Sequence, residues 1–346
     1  MKKKAAIILG VTGQDGSHLA DFLLKKCYKV FGVKRKSSSF NTQRIEHIYN
    51  SNNFNINFFP YYADLTDSSS LLKVIQLTKP DEIYNLSAQS HVHTSFEIPE
   101  YTANTDAIGA LRVLEAIKIL KLKNKTKYYQ ASTSEIFGNT EVPQNEKTPF
   151  RPRSPYAISK LYAYWTTVNY RESYGLFAVN GILFNHEGPR RGETFVSRKI
   201  TRAVAKIHKD KKGIIYLGNL NTKRDWGYAV DYVESMWKMM QQKKPDDFVI
   251  ATGESHTVKE FVEESFKNIG ITIGWKGNGL KEIGFNKKNG NVHVKIDPGY
   301  FRPTDIKELR GDYSKARKIL RWKPTVKFKK LVKLMVESDV EKLKNK

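Results

Sequence analysis

The sequence predicts an α/β fold in which helices cover both faces of a parallel sheet. Short apolar segments alternate with amphipathic segments through the first half of the chain, as expected when each strand is followed by a helix. Gly10-x-x-Gly13-x-x-Gly16 directly follows the first apolar segment, where a doubly wound sheet turns from its first strand into its first helix. These observations predict a Rossmann-like, doubly wound parallel sheet with a smaller, interleaved C-terminal α/β domain.

The strands of the sheet are predicted from short apolar runs that are bounded by polar or glycine residues. Their predicted ranges are residues 5–9, 30–33, 54–62, 82–86, 128–131 and 177–183. The helices between them are predicted from apolar residues spaced three and four apart. Their predicted ranges are residues 18–25, 68–76, 102–120 and 156–174.

The alternation becomes less regular after residue 184. The segments predicted there are a loop at 185–193, helices at 195–208, 230–241, 258–269 and 331–343, and a short strand at 214–217. No repeat, low-complexity linker or charge block separates the two halves of the chain. We therefore expect the second domain to pack closely on the first, with the chain crossing back to the sheet.

The composition indicates a soluble protein of a reducing compartment. The chain has 346 residues, 40% of them hydrophobic, which is enough to bury a large core. Its one cysteine, Cys27, excludes a disulfide scaffold and a cysteine-rich metal site. Residues 1–11 combine lysines with a short apolar run, but the run ends in a glycine turn and predicts a first strand rather than a signal peptide. No apolar stretch is long enough to span a bilayer, so we expect a cytoplasmic protein.

The formal net charge of +24 invites a nucleic-acid interpretation. The lysines are dispersed, however, and no motif for DNA or RNA binding accompanies them. A positive field also suits an anionic nucleotide substrate and a phosphorylated cofactor. We therefore expect no nucleic-acid partner.

The glycine turn is predicted to bind a dinucleotide. Its glycines allow a tight turn and the close approach of a pyrophosphate, and the helix N-terminus attracts the anion. The residues expected to hold the cofactor here are Gly10, Thr12, Gly13, Gln14, Asp15 and Gly16. A glycine-rich turn without a ligand is the alternative. The spacing has one more residue between the first two glycines than the common dinucleotide fingerprint, and it resembles the short-chain dehydrogenase/reductase superfamily.

The ends of three further strands complete the predicted cofactor site. The second strand ends in Lys34-Arg35-Lys36-Ser37, where an NAD site usually offers a carboxylate to the ribose. Cations and hydroxyls suit a 2′-phosphate, so NADP is favoured over NAD, with a solvated basic turn as the alternative. Asp64 and Leu65 are expected to hold the adenine. The residues expected to pass beneath the cofactor after the fourth strand are Leu86, Ala88 and Ser90.

Four residues are candidates for catalysis. Tyr156 and Lys160 lie one helical turn apart on one face, and a lysine cation beside an oxidised nicotinamide favours the tyrosine phenolate. Thr133 follows the fifth strand and is placed to hydrogen-bond a reacting hydroxyl. Glu135 is the discriminating residue, because removal of a carbon-bound proton needs a base that a simple reductase or epimerase does not. A helix-terminal or solvated glutamate is the alternative.

Across nearly its whole length, the chain resembles the GDP-mannose 4,6-dehydratases, a family of extended short-chain dehydrogenase/reductases. The segments that carry the resemblance are GVTGQDGS at 10–17, KRKSSSFNTQR at 34–44, SAQSHVH at 87–93, ASTSEIFG at 131–138, SPYAISK at 154–160, FNHEGPRRGETFVSRK at 184–199, KRDWG at 223–227 and YFRPT at 300–304. The resemblance implies an NADP-dependent lyase that oxidises carbon 4 of GDP-mannose, removes water across carbons 5 and 6, and returns the hydride to carbon 6. The product is GDP-4-keto-6-deoxymannose.

The resemblance also implies binding residues and domains. The NADP contacts that it adds or supports are Arg35, Ser37, Tyr101, Lys160, His186 and Arg191. The GDP-mannose contacts are Ser90, Asn185, Glu187, Lys199, Arg224 and Arg302. Residues 1–184 are expected to form the NADP-binding domain, with returning segments near 225–255, and residues 185–346 mainly the nucleotide-sugar domain. Residues 35–44 lie at a subunit contact in the family, which implies a homodimer or homotetramer; no metal is implied.

Three positions qualify the resemblance. Ser134 stands where dTDP-glucose dehydratases carry an aspartate, which argues against that substrate. His18 and Tyr228 stand where the family usually has tyrosine and histidine, and Tyr228 bears on the substrate lid. Two rival functions stay open: another nucleotide-sugar epimerase or dehydratase of the extended family, and a non-catalytic NADP-binding protein that uses its basic surface on nucleic acid.

Overall fold

The computed structural model describes residues 3–301 and 305–344. The strands are β1 Ala5–Leu9, β2 Lys29–Lys34, β3 Phe58–Tyr62, β4 Glu82–Asn85, β5 Lys127–Thr133, β6 Ala178–Leu183, β7 Asn185–Glu187, β8 Ile215–Leu217, β9 Lys223–Arg224, β10 Trp226–Tyr228, β11 Phe248–Ile250, β12 His256–Thr257, β13 Ile273–Lys276, β14 Ile283–Asn286, β15 Val292–Ile296 and β16 Glu308–Leu309.

The α-helices are α1 Gln14–Lys25, α2 Glu46–Tyr49, α3 Ser68–Thr78, α4 Val92–Glu97, α5 Pro99–Ala103, α6 Gly109–Ile119, α7 Pro155–Tyr174, α8 Val196–Asp210, α9 Ala229–Met240, α10 Val258–Lys267, α11 Ser314–Leu320 and α12 Phe328–Lys344. A π-helical turn, Asn104–Ile108, joins α5 to α6. The 3-10 turns are Ser134–Phe137, Gly279–Lys281 and Pro298–Tyr300. No described helix is long and apolar enough to cross a membrane.

Seven parallel strands form the central sheet, in the order β11-β6-β5-β4-β1-β2-β3. The predicted doubly wound α/β fold is therefore confirmed. The order of the strands reverses between β1 and β4, because β2 and β3 extend the sheet on one side and β4, β5 and β6 on the other. Ligands of such sheets bind in the crevice outside the carboxyl ends of the strands, at this switch point.

The two faces of the sheet are covered by different helices, as the alternation of side chains along a strand requires. On β1, Ala6 and Ile8 belong to the cluster that contains α1 and α9 side chains such as Leu19 and Met236. Ile7 and Leu9 belong to the cluster that includes side chains of α3 and α6. All four β1 side chains are buried, so the strand reads as a continuous apolar run.

Four predicted segments differ from the structure in kind or by more than three residues at one end. The helix predicted at 18–25 already begins at Gln14. The strand predicted at 54–62 begins only at Phe58, because the asparagine-rich segment before it forms a turn in which Asn57 and Phe58 donate to the Asn53 carbonyl. The helix predicted at 102–120 is interrupted by the π-helical turn. The segment predicted as a loop at 185–193 begins with β7, which pairs in parallel with β10.

The last strand of the central sheet comes from far along the chain. β11 pairs with β6 in parallel, with Phe248 opposite Gly181 and Ile250 opposite Leu183. The returning segment also brings α9, which packs on α1 and on the sheet. The described residues beyond residue 184 are thus divided between this sheet and a smaller lobe.

The smaller lobe is built around a second sheet of four strands in the order β13-β14-β15-β8. The sequence analysis predicted β8 but not the antiparallel strands β13, β14 and β15. Helices α8, α10 and α12 pack with this sheet around an apolar cluster that includes Ile200, Phe261 and Leu331. The short strands β12, β9 and β16 form a separate three-stranded sheet.

Candidate active site

The glycine turn lies at the carboxyl end of β1, beside the switch point. Gly10 has φ +81°, and a Cβ on Gly16 would lie 2.2 Å from the Gly10 carbonyl oxygen, so the turn closes only with glycine at these positions. Helix α1 starts at Gln14 with no side-chain cap, which leaves its first N–H groups available to an anion. A turn of this shape fits the pyrophosphate of a dinucleotide.

Two residues predicted to contact the cofactor, Asp15 and His186, form an ion pair. His186 Nε2 lies 2.7 Å from Asp15 Oδ2, and its Nδ1 lies 2.7 Å from the Phe184 carbonyl oxygen. Both partners are acceptors, so both ring nitrogens must carry a proton and His186 is an imidazolium. Gln14 Nε2 donates to Asp15 Oδ1 at 3.1 Å and to the His186 carbonyl at 3.0 Å.

The pKa values of this pair agree with the geometry. Burial acts to raise the pKa of Asp15, but the charge and hydrogen bond of His186 outweigh it and the pKa falls to about 2. Burial acts to lower the pKa of His186, but Asp15 outweighs it and the pKa is raised. The contact joins the glycine turn to the segment that starts at β7, two parts of the predicted site that are far apart in sequence.

The basic end of β2 meets another predicted cofactor residue. Arg35 Nη1 donates to the Tyr101 hydroxyl at 2.7 Å, and both side chains are exposed. Ser37 is exposed beside them and hydrogen-bonds Ser39. Arg35 is thus exposed at the end of β2, with one guanidinium nitrogen bound to Tyr101. Arg191, the remaining predicted contact of this group, pairs with Glu187 at 3.0 Å.

The turns after β3 and β4 line the same edge. Asp64 Oδ1 accepts from the backbone N–H of Thr66 at 2.9 Å, and Leu65 is buried. The Leu86 N–H donates to the Leu9 carbonyl at 3.1 Å, which continues the β4–β1 pairing into the turn. Ala88, which is half-buried, and Ser90, which is exposed, follow in the chain. The predicted cofactor residues therefore lie along neighbouring strand ends.

The four candidate catalytic residues come from β5 and α7. Thr133 ends β5, and Glu135 lies in the 3-10 turn that follows, where its N–H donates to Thr133 Oγ1 at 3.3 Å. Helix α7 starts at Pro155 because Ser154 Oγ caps it, accepting from the Ala157 N–H at 3.1 Å. Tyr156 and Lys160 then project from the first two turns. All four side chains are at least nine-tenths buried.

The electrostatics of Tyr156 differ from the expectation. Burial raises the pKa of Tyr156 above its ordinary value, and the charge of Asp106 raises it further, while a hydrogen bond with Thr133 acts in the opposite direction. Lys160 Nζ donates to the Ala131 carbonyl at 2.8 Å, and burial lowers the pKa of Lys160. In the protein alone, desolvation thus outweighs the stabilisation of the phenolate that the Tyr-x-x-x-Lys spacing suggests.

Sequence reasoning missed Asp106. It lies in the π-helical turn, is 2% exposed, and its charge acts on both Tyr156 and Lys160. The sequence alone does not mark it, because only the structure shows that Thr102, Thr105 and Asp106 are buried while Tyr101, Ala103 and Ile108 of the same segment are exposed. Buried polar residues of this kind are informative where buried apolar ones are not.

The predicted substrate residues are more dispersed. Glu187 is buried and accepts from Ser197 Oγ at 2.6 Å as well as pairing with Arg191. Arg224 Nη1 donates to the Lys223 and Ile306 carbonyls, each at 2.9 Å. Lys199 Nζ lies 3.4 Å from the centre of the Tyr300 ring. Asn185 is in β7, opposite Trp226, and Arg302 lies outside the described residues.

The fold and the site together define the class of protein. The seven-stranded sheet, the glycine turn at the switch point, and the Tyr156–Lys160 pair facing the same edge define a dinucleotide-binding enzyme of the short-chain dehydrogenase/reductase type. Within the part of the chain that the structure describes, no group of three or more His, Cys, Asp or Glu side chains is arranged to hold a metal ion.

Comparison with known proteins gives the family. The family model described as GDP-mannose 4,6 dehydratase matches residues 7–335. The chain is 58% identical over 342 residues to the GDP-mannose 4,6 dehydratase of Cricetulus griseus, covering 98% of this chain and 92% of that protein. It is 57% identical over 344 residues to the GDP-mannose 4,6-dehydratase of Sinorhizobium fredii, covering 99% and 98%. The chain belongs to the GDP-mannose 4,6-dehydratase family.

A solved structure agrees in fold. The dTDP-glucose 4,6-dehydratase of Streptomyces venezuelae, with NAD and TYD bound, superposes with a TM-score of 0.81 at 19% identity, covering 97% of each chain. At that identity the likeness speaks for the fold alone. It extends over the smaller lobe as well as the central sheet, because nearly the whole of both chains is aligned.

Proposed function

We propose that this chain is an NADP-dependent hydro-lyase that converts GDP-mannose to GDP-4-keto-6-deoxymannose. The observation that carries the proposal is the convergence of Thr133, Glu135, Tyr156 and Lys160 at the carboxyl edge of the sheet. This set combines a tyrosine–lysine pair for oxidation with a separate carboxylate for elimination. The membership of the chain in the family supplies the substrate.

The cofactor site follows from the same edge. The glycine turn offers the pyrophosphate a cradle that side chains would fill, and Arg35 offers a guanidinium fork to a 2′-phosphate. NADP held there would supply the hydride acceptor for the oxidation at sugar carbon 4 and the hydride donor for the reduction at carbon 6. As part of the proposal, residues 1–184 with the returning segment near 225–255 hold the cofactor, and residues 185–346 mainly hold the nucleotide sugar.

Tyr156 is the base of the oxidation in this proposal. Its phenolate oxygen takes the proton of the sugar hydroxyl at carbon 4 and becomes the neutral hydroxyl, while the Thr133 hydroxyl holds the sugar hydroxyl in place. Burial holds the pKa of Tyr156 above its ordinary value, so the phenolate needs cationic support. Lys160, one turn along the helix, is the cation that the chain provides.

Glu135 is the base of the elimination. A ketone at carbon 4 acidifies the proton on carbon 5. Glu135 takes this proton and then gives it to the hydroxyl of carbon 6, which leaves as water as the bond between carbon 6 and oxygen breaks. Glu135 lies in the 3-10 turn that follows β5, two residues after Thr133. We assign Thr133 to the binding of the substrate hydroxyl. A short turn of this kind lets one strand end supply both the orienting hydroxyl and the carboxylate.

The substrate is a diphosphate, and cations of the smaller lobe suit it. Lys199 and Arg224 lie on described elements, and Arg302 completes the set as a residue outside the described ranges. Guanidinium forks match phosphate oxygens in geometry as well as in charge. The net charge of +24 adds a positive field that attracts an anionic nucleotide.

We also propose that the protein is a homodimer or homotetramer in the cytoplasm. Helix α7 exposes Ile158, Tyr162 and Trp165 at 58%, 44% and 55%, and their spacing of four and three residues places them on one face. Contiguous exposed apolar side chains on a helix are typical of interfaces between subunits. Residues 35–44, expected at a subunit contact, are mostly exposed as well.

One experiment tests the function directly. The purified protein, supplied with NADP, is incubated with GDP-mannose, and the product is analysed by mass spectrometry. We expect a product lighter than the substrate by one water, with no net consumption of cofactor. An unchanged mass with a shifted chromatographic retention would indicate an epimerase, and a reduced product with consumed cofactor would indicate a reductase. No reaction at all would overturn the assignment of an enzyme.

A further inference from the structure

Lys160 carries a charge that its hydrogen bonds do not balance. Its side chain is 3% exposed, and its ammonium donates to the uncharged Ala131 carbonyl. A buried ammonium loses its proton unless an anion compensates for the lost hydration. The carboxylates whose charges act on Lys160 are Asp106 and Asp15.

Asp15 is already matched by other cations. It pairs with His186 at 2.7 Å and accepts from Gln14, and the charge of Arg191 also acts on it. A carboxylate held in this way is largely neutralised by its own partners. The compensation of Lys160 therefore falls to Asp106.

One carboxylate oxygen of Asp106 is hydrogen-bonded, and the other has no hydrogen-bond donor among the described residues. Its Oδ1 accepts from the Gln89 N–H at 2.7 Å, which ties it to the turn after β4. Its Oδ2 is buried, and no donor among the described residues reaches it. The π-helical turn that carries Asp106 packs directly against α7, the helix of Tyr156 and Lys160. Such turns within helices are frequently found at functional sites.

We propose that Asp106 is the counter-ion of Lys160 and keeps it in its charged form, so that it acts on the reaction as a positioning residue without touching the substrate. The inference rests on the proposed function in one respect, the role given to Lys160 and Tyr156. It goes beyond that function in naming a residue and a charge balance that the dinucleotide-binding and dehydratase motifs do not include.

The charges around the three side chains set the direction of the expected effect. The charged and polar groups around Asp106 are Lys160 and Tyr156 on α7 and the backbone N–H of Gln89. Burial raises the pKa of Asp106, Lys160 and the Gln89 hydrogen bond act to lower it, and the resulting pKa is about 7. Lys160 faces Asp15 as well. Tyr156 also faces Glu135 and Arg191. Removing the negative charge of Asp106 lowers the pKa of both Lys160 and Tyr156, because an anion favours the ammonium and disfavours the phenolate.

The first test measures the pH profile of the oxidation step. NADP-loaded wild type, Asp106→Asn and Asp106→Ala are mixed with GDP-mannose at a series of pH values, and reduced nicotinamide is followed by absorbance in a single turnover. For Asp106→Asn, which can still accept from the Gln89 N–H, we expect both limbs of the profile to move to lower pH by about one unit. The exposed Asp210 provides the matched control, since Asp210→Asn removes a charge far along α8 and leaves the profile in place.

The two Asp106 variants separate charge from structure. Asp106→Ala also removes the anchor of the turn after β4, and we expect it to release NADP more readily than Asp106→Asn. If Asp106→Asn lowers the rate equally at all pH values, or moves the profile upward, the counter-ion role is wrong and Asp106 is an anchor only.

The second test needs no substrate. In protein labelled with 13C at the aspartate carboxyl carbons, the Asp106 signal is assigned by its loss in Asp106→Asn or Asp106→Glu and titrated with pH. We expect it to titrate near neutral pH, and to titrate at clearly higher pH in Lys160→Met, because coupling between two charges is reciprocal. An Asp106 titration that is unaffected by Lys160→Met overturns the proposal. A wild type that titrates as expected but does not dehydrate GDP-mannose would instead overturn the proposed function.

Discussion

The residues assigned to the chemistry and those assigned to the substrate are held in different ways. Thr133 and Tyr156 belong to a seven-residue strand and a twenty-residue helix, and they are buried. Asn185 and Arg224 belong to strands of three and two residues, and Lys199 contacts the half-exposed Tyr300. We infer from this difference a rigid site for bond breaking and, at Asn185 and Lys199, a more adaptable region for the nucleotide; Arg224, although on a short strand, is buried. Mutations in the two regions should therefore affect different kinetic constants.

The largest effect is expected at Glu135. Glutamine keeps the size of the side chain but cannot act as a base, so Glu135→Gln should lower turnover by about 10²–10⁴. The variant should still oxidise carbon 4 and accumulate reduced nicotinamide on addition of GDP-mannose, as measured by stopped-flow absorbance.

Tyr156→Phe is the matched contrast, because it removes the oxidation base and should give no such absorbance. Uptake of solvent deuterium at carbon 5 provides a second measurement, which both variants should lose. If Glu135→Gln turns over at nearly the wild-type rate, or fails at oxidation as Tyr156→Phe does, the division of labour within the rigid site is wrong.

The contact that joins the two regions should show a pH-dependent stability. The pKa of Asp15 is lowered to about 2 in the folded protein, so its stabilisation is present above the ordinary value near 4 and is lost as the pH falls towards 2. The pKa of His186 is raised, so its contribution is lost as the pH rises through that raised value. We expect Asp15→Asn to lower the free energy of unfolding by about 2 kcal/mol at pH 6–7.

Urea unfolding of the cofactor-free protein measures this difference. The gap between wild type and Asp15→Asn should narrow as the pH is lowered from 5 towards 3, and Asp210→Asn should show no gap. A gap that stays constant over this range would mean that Asp15 contributes through packing and not through its pair with His186.

Arg35 tests whether the sheet edge also sets the choice of cofactor. A hydrogen bond between charged groups contributes about 1.5–3 kcal/mol, so Arg35→Ala should weaken NADP binding about tenfold or more and leave NAD binding nearly unchanged. Titration calorimetry on cofactor-stripped protein measures both. Lys36→Ala is the control for general loss of charge, and equal losses for NADP and NAD would place Arg35 outside the phosphate pocket.

The smallest effect is expected at Lys199, in the adaptable region. A diphosphate is bound alike in the ground state and the transition state, so Lys199→Ala should raise KM for GDP-mannose about threefold to tenfold and leave kcat unchanged. Lys206→Ala, on the exposed face of the same helix, should change neither constant. A collapsed kcat with an unchanged KM would break the contrast between the two regions.

The sequence predicted the central sheet well, and for physical reasons. Buried parallel strands are continuous apolar runs, and the glycine turn marks the first of them, so the ranges of β1, β2 and α7 could be predicted to within a residue or two. Strands such as β7, β9 and β12 have two or three residues and follow no periodicity, because their pairing partners are distant in sequence. The start of β3 was predicted too early because Phe54 and Ile56 alternate with asparagines, which imitates a half-buried strand.

The residues of the candidate site also differ in how far they could be predicted from the sequence. The spacing of Tyr156 and Lys160 and the position of Glu135 after a strand could be interpreted from chemistry alone. The residues of the smaller lobe could be named only from the family resemblance, because no local pattern marks Asn185 or Lys199. Asp106 could be predicted neither from residue chemistry nor from the family resemblance, because its proposed role depends on the packing of the π-helical turn against α7.

Strand β11 is synthesised well after its pairing partner β6, and this order affects how the chain folds during synthesis. When residue 184 leaves the ribosome, the outer side of β6 still presents unpaired backbone N–H and C=O groups, and it keeps them until residue 250 is available. The α9 side chains that cover one sheet face, among them Met236 and Met239, are missing over the same interval. A nascent chain of this kind exposes a sheet edge and an apolar face together, which favours binding by chaperones. For the same reason, a fragment that stops at residue 184 should aggregate when expressed alone.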